Sequence, residues 1–75
     1  MAGTMEGHLQ RVFGRNVRAV RVARGYSQEA FADEVMHVHR TYWGAVERGD
    51  RNLSLQSVEK IAEALKMDPV ALLRE

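Results

Sequence analysis

Cysteine is absent from the 75-residue chain, proline occurs once, and the three histidines lack metal-ligand spacing. Disulfides and a structural metal are therefore not expected to hold the protein together. No apolar run approaches the roughly 18 residues that a membrane-spanning helix needs. A chain this small buries only about 60% of its unfolded surface, so tight helix packing or a partner subunit must stabilise it. We expect one small cytoplasmic domain without a catalytic site, a metal or a cofactor.

Acidic residues are missing from one long stretch. Between Gly7 and Ser27 there are five arginines and no Asp or Glu, although the net charge of the whole chain is only +1. Apolar residues recur there at three- or four-residue spacing, which predicts an amphipathic helix from about His8 to Arg24. The first three of these arginines, Arg11, Arg15 and Arg18, are expected to form a solvated face.

Capping residues and apolar spacing predict four more helices. Ser27 is a good N-cap for a short helix that runs to about Met36, and Gly49 ends a third helix that begins near His39. Ser54 caps a fourth helix, and Asp68-Pro69 opens a fifth. No strand, repeat or linker is predicted. The chain should therefore be one all-α domain over residues 7–75, preceded by a loose arm at residues 1–6.

The second and third helices have the outline of a DNA-binding helix-turn-helix, because both are short and a basic amphipathic helix precedes them. Four segments of the chain carry a family resemblance: R-x-x-R-G-Y-S-Q-E-A-F-A, H-R-T-Y-W-G-A-V-E-R-G-D-R-N-L-S-L, K-I-A-E-A-L and D-P. They resemble the phage-repressor-like (Cro and XRE-type) family of regulators along nearly the whole chain. Within that family, R-T-Y, E-R-G and R-N-L-S-L resemble the controller proteins of restriction–modification genes.

The resemblance implies a five-helix fold of the lambda-repressor type. It also implies a sequence-specific transcription regulator that binds palindromic double-stranded DNA as a homodimer and has RNA polymerase as a further partner. The residues expected at the DNA are Gln28, Arg40, Thr41, Tyr42, Arg48, Arg51 and Asn52. Among them, Gln28 matches a glutamine that the family places against a phosphate. Arg40 can donate two hydrogen bonds to guanine, and Thr41 and Tyr42 offer hydroxyl and apolar groups to neighbouring bases.

Structural roles are implied for other residues. Arg21 and Glu47 match an ion pair that many family members bury. Trp43 matches a position that packs the third helix on the core. The fifth helix has more apolar residues than one inward stripe requires, and the surplus is expected in the dimer interface. The interface residues predicted in this way are Met67, Val70, Leu72 and Leu73.

Two features depart from the family pattern. Gly44 stands where related regulators often have a polar residue, so either the backbone approaches another group closely or a DNA contact has been lost. One residue more than usual lies between Ala32 and Glu47, so either the turn is longer or the second helix is extended. The turn histidines His37 and His39 are expected to face solvent. An antitoxin or protein-interaction module of the same fold is the alternative to a regulator.

Overall fold

The computed structural model describes residues 7–75, and the arm predicted at residues 1–6 lies outside the described residues. Helix α1 spans His8–Ala23 and begins after Gly7, whose φ of 74° is left-handed. Its apolar stripe is buried through Val12, Phe13 and Val17. The helix predicted from the arginine-rich stretch is therefore present, with its basic residues largely on the opposite side.

The second helix covers residues 28–36 and changes type along its length. Ser27 caps it by accepting a hydrogen bond from the Ala30 N–H at 3.1 Å, and the α-helical turn Gln28–Ala30 continues as a π-helix over Phe31–Met36. A π-helix holds about one residue more per turn than an α-helix. The additional residue is therefore absorbed within the second helix, which decides between the two alternatives left open by the sequence.

His37 ends this helix in the left-handed conformation, with φ 56° and ψ 45°. The N–H of Val38 then donates to the carbonyl of Ala32 at 2.9 Å, which closes the turn. A residue with positive φ is thus required here although no glycine is present, and histidine tolerates that conformation better than a β-branched residue.

Helix α3 spans Arg40–Arg48 and helix α4 spans Leu55–Leu65. The Nδ1 atom of His39 accepts from the Thr41 N–H at 3.0 Å and caps α3, which ends at Gly49 with φ 77°. Ser54 caps α4 by accepting from the Ser57 N–H at 3.0 Å. Local capping chemistry therefore explains the start of both helices.

The predicted fifth helix is only a 3₁₀ turn, Ala71–Leu73. The side-chain amide of Asn16 donates to the carbonyls of Leu72 and Arg74, at 2.8 Å each. These bonds hold the end of the chain against α1, and Arg74 has the extended backbone angles φ −85° and ψ 139°. The chain therefore leaves the helical conformation after one turn, and the described residues contain four longer helices and no strand.

The core lies where the four helices and the 3₁₀ turn meet. Its largest fully buried side chains are Trp43, Phe13, Phe31, Leu65 and Leu72. The rings of Phe31 and Trp43 are 5.5 Å apart, which joins the second helix to α3. The assignment of Leu72 to the dimer interface was wrong: it is 1% exposed because its side chain packs into the hydrophobic core of its own chain.

No helix within residues 7–75 is long and apolar enough to cross a membrane. Over the same range, no group of three His, Cys, Asp or Glu side chains is arranged to hold a metal ion. His37 and His39 are both exposed, as expected for turn residues.

Candidate nucleic-acid interface

The carboxylate of Glu47, near the end of α3, accepts four hydrogen bonds from three side chains. Arg21 on α1 donates through Nε at 2.7 Å and Nη2 at 3.1 Å, and the third Arg21 nitrogen donates to the carbonyl of Tyr26. Trp43 donates through Nε1 at 2.6 Å, and Gln28 through Nε2 at 3.1 Å. The ion pair implied by the resemblance is therefore present, and it joins α1, the second helix and α3 in a fixed arrangement.

Helix α1 also passes α3 at unusually short range. A Cβ atom added to Gly14 would lie 2.4 Å from the carbonyl oxygen of Val46 and 2.7 Å from that of Glu47. Both are backbone atoms that cannot rotate away, so this crossing requires glycine. This close approach fixes the position of α3 relative to α1 on the side of α3 that faces the core.

The exposed face of α3 contains Arg40 and Thr41, two of the three predicted base-contacting residues. Arg40, Gly44 and Arg48 are four residues apart and share one side of the helix. Together with Gln28 and Thr41 they line an open cleft of about 250 Å³. The structure thus brings four of the seven predicted DNA contacts together at one cleft.

Gly44 forms the floor of this cleft. A Cβ atom at this position would lie 3.2 Å from Nη1 of Arg48 and 3.3 Å from Oε1 of Gln28. Two side chains of the same chain therefore lie close to this glycine, and the other explanation, the loss of a DNA contact, stays a prediction.

Gln28 has a more restricted orientation than its sequence position suggests. Its amide nitrogen donates to the carboxylate of Glu47, which as an ionised group can only accept hydrogen bonds. The amide oxygen consequently turns toward Gly44. One N–H of the amide remains to donate to a phosphate.

Tyr42 and Arg51 are brought together although they lie on different elements. The guanidinium carbon of Arg51 is 4.9 Å from the centre of the Tyr42 ring, within the range of a cation–π contact. Tyr42 itself is half-buried and packs against the core, while Arg51 and Asn52 are exposed in the loop between α3 and α4. Arg51 is thereby held beside the exposed face of α3.

Two acidic residues in this region were not identified from the sequence. Glu29 Oε2 lies 3.6 Å from Nη1 of Arg40, and Asp50 Oδ2 lies 2.9 Å from Nε of Arg48. The only sequence signal was their position, one directly after Gln28 and the other two residues after Arg48. Acidic residues give no sequence signal for an anion-binding surface, because basic residues are the ones that indicate it.

The remaining predicted interface residues differ in exposure. Val70 is 56% exposed, whereas Met67 and Leu73 are half-buried against the core. Within residues 7–75, the most exposed large apolar residue is Leu55, at 80%, and Leu9 is 52% exposed. These two leucines belong to an apolar groove of about 350 Å³ between the start of α1 and the start of α4. Its other apolar side chains are Phe13, Leu53, Val58 and Leu73.

Comparison with known proteins matches this geometry to one family. A helix-turn-helix family model matches residues 17–72 of the chain. The control protein C.BamHI of Bacillus amyloliquefaciens is 43% identical over 70 residues, which cover 92% of this chain and 85% of that protein. The control protein C.SmaI of Serratia marcescens is 38% identical over 65 residues, which cover 87% of this chain and 76% of that protein.

A solved structure agrees with the sequence comparison. The crystal structure of the restriction-modification controller protein C.AhdI from Aeromonas hydrophila superposes with a TM-score of 0.72 at 41% identity. The match covers 88% of this chain and 94% of that chain. The similarity therefore includes the fold of almost the entire controller protein.

Proposed function

Because this chain belongs to the phage-repressor-like helix-turn-helix family, and within it to the restriction–modification controller proteins, we propose that it binds palindromic operator DNA as a homodimer. The family consists of DNA-binding transcription regulators and not of enzymes. A restriction endonuclease gene beside the coding sequence would support the link to restriction and modification. We expect such a regulator to act in the cytoplasm and to have RNA polymerase as a further partner. Transcription of an operator-linked promoter by purified RNA polymerase, with and without the protein, tests this interaction.

The observation that carries the proposal is the exposed face of α3, which has an arginine at each end and rests on a buried scaffold. A helix of this length fits the major groove of B-DNA, where a guanidinium can donate two hydrogen bonds to guanine O6 and N7. We assign this base contact to Arg40, and contacts to adjacent base edges to Thr41 and Tyr42. Phosphate contacts that position the protein without reading sequence are assigned to Gln28, Arg48, Arg51 and Asn52.

Arg40→Ala should cost roughly 1–3 kcal/mol of binding free energy on the operator and should reduce base preference. Arg51→Ala should weaken binding to operator and scrambled DNA alike, because a phosphate contact carries no sequence information. Fluorescence anisotropy with a duplex selected from random sequences, and with its scrambled counterpart, measures both effects. Arg15→Ala is the matched control, since it removes an exposed arginine of α1.

The same titrations between about 50 and 200 mM salt should show a steep loss of affinity, with a slope in log K near −0.9 per phosphate contact. Binding that does not depend on salt, or no binding to any selected duplex, contradicts a DNA-binding function.

The alternative function is that of an antitoxin or docking module of the same fold, whose main partner is a protein. The double variant Arg40→Ala with Thr41→Ala distinguishes it from a DNA-binding regulator. A protein partner would be retained by that variant, whereas operator DNA would be lost.

We place the dimer contact at the apolar groove and commit to a second copy of the chain as its occupant. Leu55 projects from the first turn of α4 beside the groove, so a two-fold arrangement can insert each Leu55 into the groove of the partner. The groove also includes Asn52 and Leu53, which continue the loop that contains Arg51. Two half-sites require a dimer with both DNA-binding faces on the same side, and we assign that arrangement to a two-fold axis at this groove.

Leu55→Glu should dissociate the dimer, because the partner would bury an unpaired carboxylate. Val70→Glu tests the C-terminal surface that was expected from the sequence, and it is matched because Val70 is also exposed. Sedimentation at micromolar concentration separates the two surfaces. A monomeric Leu55→Glu and a dimeric Val70→Glu support the groove, and the reverse pattern places the interface at the C-terminal turn. Loss of the dimer should weaken binding to a full palindrome far more than to one half-site.

A further inference from the structure

We propose that Glu29 and Asp50 are positioning residues for the two arginines of α3 and reduce the affinity of the protein for DNA of the wrong sequence. The inference rests on the proposed DNA-binding function and extends it to specificity. It starts from the finding that both arginines on the DNA-facing side of α3 have an acidic partner in the same chain.

Arg40 lies between two surfaces of opposite character. On one side is the cleft formed with Gln28, Thr41, Gly44 and Arg48. On the other side is a groove of about 540 Å³ between the second helix and the start of α3, whose acidic residues are Glu29, Asp33 and Glu34. Nη1 of Arg40 lies 3.6 Å from the carboxylate of Glu29, an ion pair that favours the guanidinium at the boundary between them.

Arg48 is held in a comparable way at the other end of the face. Its Nε donates to Asp50 at 2.9 Å, while its Nη1 lies over Gly44 at the cleft. A guanidinium has five N–H donors in a planar fork. Each arginine can therefore keep its carboxylate and still donate hydrogen bonds from the remaining nitrogens to a ligand in the cleft.

This arrangement distinguishes correct from incorrect DNA. On the operator, the guanine edge assigned to Arg40 and the phosphate assigned to Arg48 would both lie in register with the paired guanidinium groups, so the ion pairs would persist in the complex. On other sequences, affinity comes from phosphates, and an arginine must leave its carboxylate to reach one out of register. An arginine that remains paired releases no counterion, and the nearby carboxylate repels the phosphates.

Both ion pairs are weak enough to be removed by substitution without unfolding the protein. All four side chains are between 61% and 73% exposed, and exposed pairs contribute little to stability. Removing one should therefore change non-specific affinity by roughly two- to fivefold without unfolding the protein. Glu29→Gln and Asp50→Asn remove the charge and keep the shape of each side chain. Glu63→Gln makes the same charge change on α4, at an exposed residue without an ion pair among the described residues.

Fluorescence anisotropy of the full chain with the selected duplex and its scrambled counterpart, between about 50 and 200 mM salt, gives the required measurements. We expect Glu29→Gln and Asp50→Asn to bind scrambled DNA more tightly, with a salt slope steeper by about 0.9 for each arginine released. Operator affinity should rise less, so the ratio of operator to scrambled affinity should fall. Glu63→Gln should leave the ratio unchanged.

Two results would overturn the inference: an unchanged ratio in both variants, which includes an equal gain on both duplexes, or the same fall in Glu63→Gln. The equal gain would mean that only the overall charge matters. If the wild-type protein binds no selected duplex, the proposed function fails as a whole. If it binds the operator and the variants discriminate as it does, only the role of Glu29 and Asp50 fails.

Discussion

Glu47→Ala is expected to lower the free energy of unfolding by about 3–5 kcal/mol, the typical cost of removing one partner of a buried ion pair. The carboxylate side chain is 2% exposed and that of Arg21 is 10% exposed, so the guanidinium would be left buried without its counterion. The indole N–H of Trp43 and the amide of Gln28 would lose their acceptor as well. The loss should therefore exceed that of a single hydrogen bond.

Urea unfolding followed by circular dichroism measures the effect, with Glu63→Ala as the control at an exposed position of α4. Arg21→Met combined with Glu47→Leu should recover part of the lost stability, because no unpaired charge then remains in the interior. A loss below about 1 kcal/mol in Glu47→Ala would be the value of an exposed pair and would contradict the burial described above.

Gly14→Ala should destabilise the protein by about 2–3 kcal/mol, although alanine is the better helix former by about 1 kcal/mol. The added methyl group would lie 2.4 Å from the carbonyl oxygen of Val46, so α1 and α3 would have to separate. Because three elements join at Glu47, this separation would also stretch the ion pair with Arg21. The expected shift in melting temperature is a decrease of roughly 10–20 °C.

Gly44→Ala is the matched control, because it makes the same substitution within a helix of the same core. There the new methyl group meets the end of the Arg48 side chain and the Gln28 amide oxygen, at 3.2 and 3.3 Å. Arg48 is exposed and can move aside, so Gly44→Ala should cost little or stabilise the helix. Thermal unfolding of both variants decides the matter: equal melting temperatures would show that α1 and α3 do not need the close approach.

The sequence determined the features that depend on neighbouring residues. The bounds of α1, the serine caps before the second helix and α4, and the end of α3 at Gly49 follow from local capping and apolar spacing, and the structure contains each of them. The family resemblance supplied the buried ion pair. It also supplied the set of candidate DNA contacts, four of which line one cleft.

Only the tertiary structure decided features that depend on which elements meet. The end of the chain forms one 3₁₀ turn whose Leu72 packs into the core, and Asn16, more than fifty residues away, donates to the carbonyls of Leu72 and Arg74. Gly14 is required because α3 crosses at that point, and Gln28 is turned inward because Glu47 accepts its amide. Hydrophobic periodicity reports that a side chain is buried, but it does not report the partner. Contacts between distant elements are set by packing, which has no local sequence signal.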